Sequence, residues 1–307
     1  MAELKSGRIV EWHRLSATLS LFRLVGPEGA FFPPYEPGQY IALRREDCLL
    51  TRKVKEGNEI RYVPDVDEAG VQKRGTVTHS YSISSAPFET TAGNYLEFYV
   101  VLERDREGVL GRFTESLFRG VETHTNERLA YLERIVGDFT LAKRAKGFEH
   151  VLMVGTGTGL APFVSMLKQL HFDAQRGTKP PARYTLLHAN RTFEELAYHR
   201  ELLEIEAAQT FDFVYAASVS RPTARDLADP QIGTGRANNI LRQVFSLPPR
   251  EEAAVVPVTP RERPLALLQE RIDPARTVVL TCGNPNVMAD IAWIAGQTGM
   301  RFEKEDW

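Results

Sequence analysis

The two halves of the chain differ in how their apolar residues are spaced. Up to about residue 146 the apolar runs are short and strand-like, as in TLSLFRLV at 18–25 and YLEFYVVLE at 95–103. Turn-forming residues such as Pro37-Gly38 and Ala92-Gly93-Asn94 separate these runs. Many short strands divided by turns predict an antiparallel β-barrel or sandwich in residues 1–146.

From about residue 148, strand-like runs alternate with helix-like runs. VLMV at 151–154 is followed by PFVSMLKQL at 162–170, in which apolar residues recur at helical spacing. The alternation continues through the strand-like YTLLHA, FDFVYAA and TVVLTC and the helix-like EELAYHRELLEIEAA, NNILRQVF and NVMADIAWIAG. Strands that alternate with helices predict an α/β domain with a parallel sheet in residues 147–307.

Two polar segments interrupt this pattern. Residues 44–78 are charged and rich in turn-forming residues, and we expect them to be an insertion that contains an exposed hairpin. Residues 248–264 contain five prolines, and we expect a long surface loop there. The boundary between the two domains is expected near LAKRAKGFEH, at 141–150.

The predicted parallel strands end in chemically distinctive residues. The first strand leads into GTGTGLAP at 155–162, and the later ones lead into HANR, SVSRP and CGNP. Ligands of open parallel sheets bind outside these carboxyl ends. GTGTGLAP has Leu160 where a G-x-G-x-x-G fingerprint has its third glycine, and it lacks the G-K-[ST] of a P-loop. Taken alone, it fits a simple turn into a helix as well as it fits an anion site at a helix N-terminus.

Arginines follow the second and later strands. Arg191 stands where an NAD-specific enzyme usually has an acidic residue, and Arg221 and Arg236 follow in SVSRP and GTGR. One such arginine is more often a solvated surface residue. A guanidinium group can hold a phosphate through paired hydrogen bonds, so the three together predict a site for the 2′-phosphate of NADP.

Composition excludes several classes of protein. The net charge is −2 and the pI is about 6.4, which argues against nucleic-acid binding through bulk charge. No apolar run approaches the ~18 residues of a membrane span, and the N-terminus lacks a signal-like apolar core. We therefore expect a cytoplasmic protein that does not contact membranes. Two cysteines, Cys48 and Cys282, are too few to hold an iron–sulfur cluster, and we expect no metal site.

With these residues in view, the sequence resembles the ferredoxin/flavodoxin–NADP reductase family over nearly its whole length. PGQY at 37–40, HSYSISSAP at 79–87 and GRFT at 111–114 look like the flavin motifs of that family. GTGTGLAP and CGNP are similar to its nicotinamide-nucleotide motifs. The resemblance implies an FAD-binding barrel domain, 1–146, and an NADP-binding α/β domain, 147–307.

The resemblance also implies roles for single residues. Tyr81 is expected to pack on the isoalloxazine ring, Ser82 and Cys282 to lie where hydride is transferred, and Trp307 to cover the ring. Glu303 is the expected proton-transfer carboxylate, and Glu305 is the alternative alignment. The other expected contacts of FAD and NADP(H) are His79, Ile83, Tyr99, Val100, Gly111, Arg112, Phe113, Thr114, Gly155, Thr156, Gly157, Thr158, Pro162, Arg191, Ser220, Arg221, Arg236 and Gly283.

Structural alternatives remain for several of these residues. Tyr81 also fits a plain core position in an alternating strand, Cys282 an inert buried thiol, and Trp307 a frayed terminus. His79 replaces the arginine that is usual in the family, so flavin binding is expected to be weaker or pH-dependent unless Arg112 compensates. The substitution leaves FMN open as an alternative to FAD.

The implied activity is exchange of a hydride between NADPH and FAD, with single electrons passed to or from a separate ferredoxin or flavodoxin. Such carriers are usually acidic, and a set of cations is expected to attract one, although a solvated charged surface explains them equally well. The set comprises Arg44, Arg45, Arg52, Lys53, Lys55, Lys73, Arg74, Lys143, Arg144 and Lys146. The alternatives are a reductase component of an oxygenase or a free-flavin reductase, and a non-catalytic flavin-binding module.

Overall fold

A computed structural model describes residues 3–56, 59–105, 107–250 and 255–305 of the chain. Its strands are β1 (Leu4–Arg14), β2 (Leu19–Val25), β3 (Tyr40–Leu49), β4 (Thr51–Glu56), β5 (Glu59–Pro64), β6 (Arg74–Ser82), β7 (Tyr95–Val101), β8 (Arg128–Val136), β9 (His150–Thr156), β10 (Arg183–Asn190), β11 (Phe213–Val219), β12 (Ile232–Thr234), β13 (Thr277–Cys282) and β14 (Arg301–Lys304). Its α-helices are α1 (Pro87–Gly93), α2 (Arg112–Glu122), α3 (Leu141–Arg144), α4 (Ala161–Gln175), α5 (His199–Ala207), α6 (Ala224–Ala228), α7 (Ala237–Val244), α8 (Leu265–Arg271) and α9 (Pro285–Thr298).

The chain divides into two units. The first comprises the residues up to Tyr35, Tyr40–Ile83 and Glu89–Val136. The second comprises Glu36–Gln39, Ser84–Phe88 and the residues from Gly137 onward. The limits of the predicted domains, 1–146 and 147–307, stay predictions.

Six strands of the first unit form one antiparallel sheet, in the order β6-β3-β8-β1-β2-β7. Apolar residues from all six strands and from α2 meet in a single core, as in a barrel. The rings of Phe22 on β2 and Phe98 on β7, for example, stack with their centroids 5.1 Å apart. The antiparallel architecture predicted for this half is confirmed. It forms because alternating apolar residues need a common interior in which to be buried.

The segment predicted as an insertion belongs partly to this sheet. Its ends, at 44–49 and 74–78, extend β3 and β6, which pair with each other. Between them, β4 and β5 pair as a separate two-stranded antiparallel sheet, which is the expected hairpin. Its Ile60 side chain is 62% exposed, which is unusual for isoleucine.

The second unit contains a parallel sheet in the order β12-β11-β10-β9-β13-β14, as predicted for this half. β9 is buried along nearly its whole length. After β9 the chain adds strands on one side as far as β12, and then returns to place β13 on the other side of β9. The carboxyl ends of β9 and β13 therefore flank the point where the strand order reverses, the usual ligand position in such sheets.

Helices cover this sheet. One face carries a core formed with residues of α7, α8 and α9, and α4 and α5 also contact the sheet. Throughout the described ranges, no helix is both long and apolar enough to cross a membrane. Within the same ranges, no group of His, Cys, Asp and Glu side chains could hold a metal ion.

The second unit also incorporates Ser84–Phe88, the segment that follows the HSYS motif. The Ser165 hydroxyl of α4 donates to the Ser85 carbonyl (2.7 Å), and the Tyr198 hydroxyl donates to Ser84 Oγ (2.9 Å). The rings of Phe88 and Phe172 stack with their centroids 4.1 Å apart. These contacts hold Ser84–Phe88 along the helix that follows the glycine motif.

Two histidines are buried in the parallel sheet. His150 begins β9, and its ring nitrogens contact the hydroxyls of Thr277 (3.1 Å) and Thr185 (2.9 Å). Burial, assisted by nearby arginines, lowers the pKa of His150 to about 3. Burial also lowers the pKa of His188 on β10 to about 3, with His199 contributing. Both rings are therefore neutral in the folded protein at ordinary pH.

These buried histidines predict that the second unit loses stability in acid. An unfolded histidine has a pKa of about 6.5, so the unfolded chain binds more protons below that pH. The stabilisation is complete above pH ~6.5 and is lost as the pH falls from there towards 3, at a cost of about 2 kcal/mol per histidine at pH 5. His150→Gln keeps a donor and an acceptor but does not titrate. Urea titrations should show its free energy of unfolding falling about 2 kcal/mol less than that of the wild type between pH 7 and 5.

The control for this measurement is His13→Gln, since His13 is exposed. That variant should lose as much stability in acid as the wild type does. An equal acid-induced loss in His150→Gln and in the wild type would contradict the neutral, buried state of His150.

Candidate functional site

The glycine loop between β9 and α4 combines close packing with exposed backbone. A Cβ on Gly159 would lie 2.2 Å from the carbonyl oxygen of Cys282, so no side chain fits between this loop and the end of β13. Gly157 has a φ of 56°, in the left-handed region, and a Cβ there would meet nothing within 4 Å. One glycine thus brings two strand ends together, and the other presents bare backbone at the start of a helix, where anions bind.

The end of β13 completes this edge of the sheet. Cys282 pairs with Gly155 across the two strands, and the Asn284 N–H donates to Thr156 Oγ1 (3.0 Å). Gly283 has a φ of 123°, and a Cβ there would lie 2.3 Å from the Thr156 carbonyl oxygen. The predicted nucleotide residues of the two motifs are therefore brought together: Gly155, Thr156, Gly157, Thr158, Pro162, Cys282 and Gly283.

Cys282 is fully buried, and its thiol is protonated. Burial raises the pKa of Cys282 well above its usual value, and the negative charge of Glu305 raises it further. Register explains this proximity, because Lys304 pairs with Thr281 and the Glu305 N–H donates to the Thr281 carbonyl (3.1 Å).

The two candidate carboxylates near the C-terminus have different surroundings. Glu303 accepts hydrogen bonds from Arg144 Nη1 (2.9 Å) and Arg301 Nε (2.8 Å). Glu305 is buried, and it is the carboxylate whose charge acts on Cys282. The proton-transfer role of Glu303 stays a prediction. Trp307 lies outside the described residues.

The arginines predicted to bind phosphate lie on neighbouring strand ends. The Arg221 N–H donates to the Arg191 carbonyl (2.8 Å), which ties the residues after β10 and β11. The Gly235 N–H donates to the Val219 carbonyl (2.9 Å), which places Arg236 next to them. Arg221 and Arg236 are exposed at this edge. In the part of the chain that the structure describes, the Arg221 side chain has no ion pair.

Residues that the sequence motifs did not single out surround these arginines. The guanidinium carbon of Arg225 on α6 lies 4.0 Å from the ring centroid of Phe193. Glu195 binds Arg191 through two hydrogen bonds, from Nε to Oε2 (2.9 Å) and from Nη2 to Oε1 (2.6 Å). The four-residue spacing of Arg191 and Glu195 is a common ion-pair spacing, but only on a helix does it bring side chains together predictably. The turn that joins this pair is a single 3₁₀ turn, Phe193–Glu195, which the sequence pattern does not reveal.

In the first unit, the HSYS and GRFT motifs lie side by side. The Tyr81 ring centroid is 5.2 Å from that of Phe113, and the Phe113 centroid is 6.0 Å from that of the exposed His79. Burial raises the pKa of the Tyr81 phenol well above its usual value, with Glu103 and Cys48 adding to the effect. Tyr81 is therefore a protonated hydrogen-bond donor whose ring packs on an aromatic neighbour.

Ser82 ends β6 with a buried hydroxyl group. Its residue is 5% exposed, and among the described residues its Oγ has no hydrogen-bond partner. Leaving a buried polar group unsatisfied costs roughly 1–3 kcal/mol, so such groups call for an explanation. A bound ligand that supplies a hydrogen-bond partner is one.

The GRFT segment begins α2. Thr114 Oγ1 accepts from the Glu103 N–H (3.2 Å) and donates to the Gly111 carbonyl (3.3 Å), so Thr114 ties the helix start to the segment after β7. Arg112, the first residue of α2, is half-buried and has no ion pair within the described part of the chain. It is available to an anion at this helix start.

Three other predicted flavin contacts lie inside the first unit. Ile83 and Val100 belong to its hydrophobic core, so their side chains are occupied there and their backbone is what remains to contact a cofactor. Tyr99 is also buried. Because successive side chains of a strand point to opposite faces, the Tyr99 ring lies on the other side of β7 from Val100.

The prediction that Arg45 forms part of a cationic surface is wrong. Arg45 is 2% exposed, and its guanidinium donates to Ser116 Oγ (3.0 Å) and to the carbonyl oxygens of Asn126 (3.1 Å) and Arg128 (2.8 Å). Other members of the expected set are already paired with carboxylates: Arg44 with Glu46, Lys73 with Asp65, Lys143 with Asp138 and Arg144 with Glu303.

Comparison with known proteins agrees with this geometry. Residues 153–292 match the family model of the oxidoreductase NAD-binding domain. A flavodoxin/ferredoxin–NADP reductase of Buchnera aphidicola is 30% identical over 135 residues, which are 43% of this chain and 47% of the relative. A flavohemoprotein of Halalkalibacterium halodurans is 27% identical over 228 residues, 74% of this chain and 46% of the relative. The alignments therefore span about half the length of these curated relatives.

A solved structure covers nearly the whole chain. The ferredoxin NADP⁺ reductase of Neisseria gonorrhoeae, with bound FAD and NADP, superimposes with a TM-score of 0.63 at 18% identity and covers 99% of each chain. The likeness extends over both units, and the NAD-binding match contains the glycine loop, the arginine-bearing strand ends and the Cys-Gly-Asn-Pro turn. The chain thus carries the oxidoreductase NAD-binding domain in residues 153–292 and has the fold of a ferredoxin NADP⁺ reductase over nearly its whole length.

Proposed function

We propose that the chain is an FAD-containing reductase that exchanges a hydride with NADPH and passes single electrons to or from a separate ferredoxin or flavodoxin. One observation carries the proposal: the exposed glycine backbone, the buried Cys282 and the cations that follow β10–β12 lie along one edge of a parallel sheet. The similarity to the Buchnera reductase and to the NADP-bound Neisseria structure supports the same activity.

The second unit supplies the groups that NADP(H) needs. Backbone N–H groups at Gly157 and Thr158 precede α4, and a helix N-terminus favours the charge of a pyrophosphate. Arg221 and Arg236 bind the 2′-phosphate, and the neighbouring Ser220 hydroxyl adds a donor. Cys282 and Gly283 line the nicotinamide position, where the neutral Cys282 thiol packs without adding a negative charge.

The first unit fits FAD on observations of its own. Ser82 Oγ is a buried hydroxyl that lacks a partner, Tyr81 presents a ring supported by Phe113, and Arg112 is a cation without an ion pair in the described ranges. Bound FAD supplies the exchange between two-electron and one-electron chemistry that no side chain provides. Tyr81 and Ser82 orient the ring system, and Arg112 with the start of α2 holds the diphosphate.

The proposal is tested first by spectroscopy. The purified protein should show the visible absorbance of a flavin, and anaerobic NADPH should bleach it. Arg221→Ala should raise the apparent KM for NADPH roughly 10- to 100-fold, because one charged hydrogen bond to phosphate is lost, and should change that for NADH about twofold at most.

A matched control is Arg200→Ala on α5, whose side chain is 92% exposed. It should behave like the wild type with both coenzymes. A colourless protein would refute the proposed function, and a yellow protein that NADPH leaves unchanged would point to a non-catalytic flavin-binding module. Equal effects of Arg221→Ala on NADPH and NADH would refute the 2′-phosphate assignment.

Ser82 gives a second prediction, since bound flavin would supply the partner that its hydroxyl lacks among the described residues. Ser82→Ala should leave the flavin-free protein as stable as the wild type or up to about 1 kcal/mol more stable. The same change should slow anaerobic flavin reduction by NADPH about tenfold, because a hydrogen bond to the ring is lost. Thermal unfolding and stopped-flow absorbance measure the two effects. Ser80→Ala, an exposed position on the same strand, is the control.

If Ser82→Ala destabilised the flavin-free protein and left the reduction rate unaltered, Ser82 would have a purely structural role. A variant that lost its flavin altogether would show that the hydroxyl acts in binding before it acts in the reaction.

The hairpin formed by β4 and β5 is the surface best suited to an acidic carrier. Lys53 pairs with Tyr62 and Lys55 with Ile60, so these four side chains lie on one face, and all four are exposed. Lys53 Nζ lies 5.8 Å from the Tyr62 ring centroid. Within the described ranges neither lysine has an ion pair. An apolar and aromatic centre with uncompensated positive charge suits the acidic surface of a flavodoxin or ferredoxin.

Reversing these charges should therefore weaken coupling to a carrier. At low salt, Lys53→Glu/Lys55→Glu should lower kcat/KM for reduction of an acidic flavodoxin about tenfold or more, and high salt should shrink the difference from wild type. Ferricyanide reduction should not change, since that small oxidant needs no docking surface. The control Lys179→Glu/Arg200→Glu changes the net charge equally in the second unit and should retain carrier turnover.

A reductase component of an oxygenase, or a free-flavin reductase, is the second candidate. The flavohemoprotein match spans more of this chain than the Buchnera match does, and its name includes neither ferredoxin nor flavodoxin, so the similarity does not single out such a carrier. If the enzyme reduced free flavin fast but reduced neither flavodoxin nor ferredoxin, that result would support this candidate against the first. The cytoplasmic location stays a prediction from the sequence.

A further inference from the structure

Glu195 is a nearly buried carboxylate at the proposed phosphate-binding edge. Its side chain is 6% exposed, and it holds the guanidinium of Arg191 through two hydrogen bonds of 2.9 and 2.6 Å. The turn is closed further by Asn190, whose Nδ2 donates to the Glu195 carbonyl (2.6 Å) and whose Oδ1 accepts from the Arg191 N–H (2.9 Å). Residues 190–195 therefore hold Arg191 and Glu195 as one paired unit.

This pairing changes the charge that the edge offers to a ligand. The two guanidinium nitrogens that bind Glu195, Nε and Nη2, form the side of the fork that binds a carboxylate or a phosphate in the bidentate manner. The pair as a whole is neutral. Arg221, on the adjoining strand end, has no carboxylate partner among the described residues. The edge thus contains one compensated arginine beside an uncompensated one.

We propose that Glu195 sets how strongly the edge prefers a 2′-phosphorylated adenosine over its unphosphorylated form. The inference rests on the proposed NADP site and deepens it. A carboxylate beside a phosphate dianion repels it and cancels the attraction of Arg191, whereas a ribose hydroxyl is a neutral donor that a carboxylate accepts. The chain therefore uses both NADPH and NADH, and its remaining preference for NADPH comes from Arg221 and Arg236.

The sign of the effect distinguishes this role from simple support of Arg191. If Glu195 mainly oriented Arg191 towards the phosphate, removal of its charge would weaken phosphate binding. If it acts as a competing anion, removal of its charge strengthens phosphate binding. Glutamine is the informative replacement, because it keeps the size of the side chain and an acceptor oxygen for Arg191.

The experiment is calorimetric titration of the purified, flavin-containing full-length chain with adenosine 2′,5′-bisphosphate and with 5′-AMP, which differ only in the 2′-phosphate. Glu195→Gln should bind the bisphosphate about tenfold more tightly than the wild type does, and 5′-AMP within about twofold, because only the former carries the charge that Glu195 repels. The ratio of kcat/KM for NADPH to that for NADH should rise by a similar factor.

Glu204→Gln is the matched control. It removes a carboxylate from another arginine–glutamate pair with the same four-residue spacing, Arg200–Glu204 (2.9 Å), whose side chains are 92% and 63% exposed. It should bind both nucleotides as the wild type does. Thermal unfolding of each variant establishes that the fold is retained.

Two further variants decide the question even if Glu195→Gln proves unstable. Arg191→Gln leaves the carboxylate without its arginine and should weaken bisphosphate binding about tenfold or more. Arg191→Gln/Glu195→Gln restores a neutral pair and should bind the bisphosphate within about threefold of the wild type. A double variant as weak as Arg191→Gln would overturn the proposal.

The outcomes separate this inference from the proposed function. Unchanged or weaker bisphosphate binding in Glu195→Gln overturns the role of Glu195, whatever the wild type prefers. The wild type could bind the bisphosphate and 5′-AMP equally while Glu195→Gln prefers the bisphosphate. That result supports the role of Glu195 and contradicts NADPH as the preferred substrate of the wild type.

Discussion

The close approach of Gly159 to the carbonyl group of Cys282 is the contact on which the nucleotide edge depends. With no side chain between them, the loop after β9 and the turn after β13 lie against each other, and the exposed backbone of Gly157 is held next to Cys282 and Gly283. A larger residue at 159 would push these strand ends apart. The conformation of Gly157, by contrast, serves the solvent side of the loop, where nothing packs against it. Neighbouring glycines of one motif therefore meet different demands, one of packing and one of access.

The positive charge that this edge offers to a ligand depends on which arginines are paired with carboxylates as much as on the number of arginines. Arg191 is compensated by Glu195, while Arg221 lies on the adjoining strand end without a carboxylate partner in the described ranges. The same principle separates the cations of the first unit. Arg45 is consumed inside the fold by backbone carbonyls, whereas Lys53 and Lys55 extend into solvent from the face of a hairpin. A count of positive residues along the sequence would give all of these the same weight.

Periodicity was sufficient to predict the fold class, because alternating strands bury one face in a common interior and a βα repeat buries its sheet under helices. It missed β8, in which charged and apolar residues are mixed as RLAYLERIV although the strand lies between β3 and β1 in the sheet. It also missed α2, whose buried Leu117 and Phe118 lie beyond the GRFT motif with which the helix begins. The strand ends could be located from sequence, since motifs are local. The positions of Glu195 and Glu305 could not, because they depend on a 3₁₀ turn and on the register of β14.

The five residues Ser84–Phe88 lie in the sequence between β6 and β7 of the first unit. They nevertheless pack on α4, where the Ser85 carbonyl accepts a hydrogen bond from Ser165 and the Phe88 ring stacks on Phe172. Neither unit is therefore a continuous stretch of the gene product. During synthesis, Ser84–Phe88 leave the ribosome some eighty residues before α4 does. Their packing partners on α4 are therefore absent at that stage. A fragment that stopped at residue 146 would retain an exposed phenylalanine and an unmatched carbonyl group, and would be prone to aggregate however complete its own sheet.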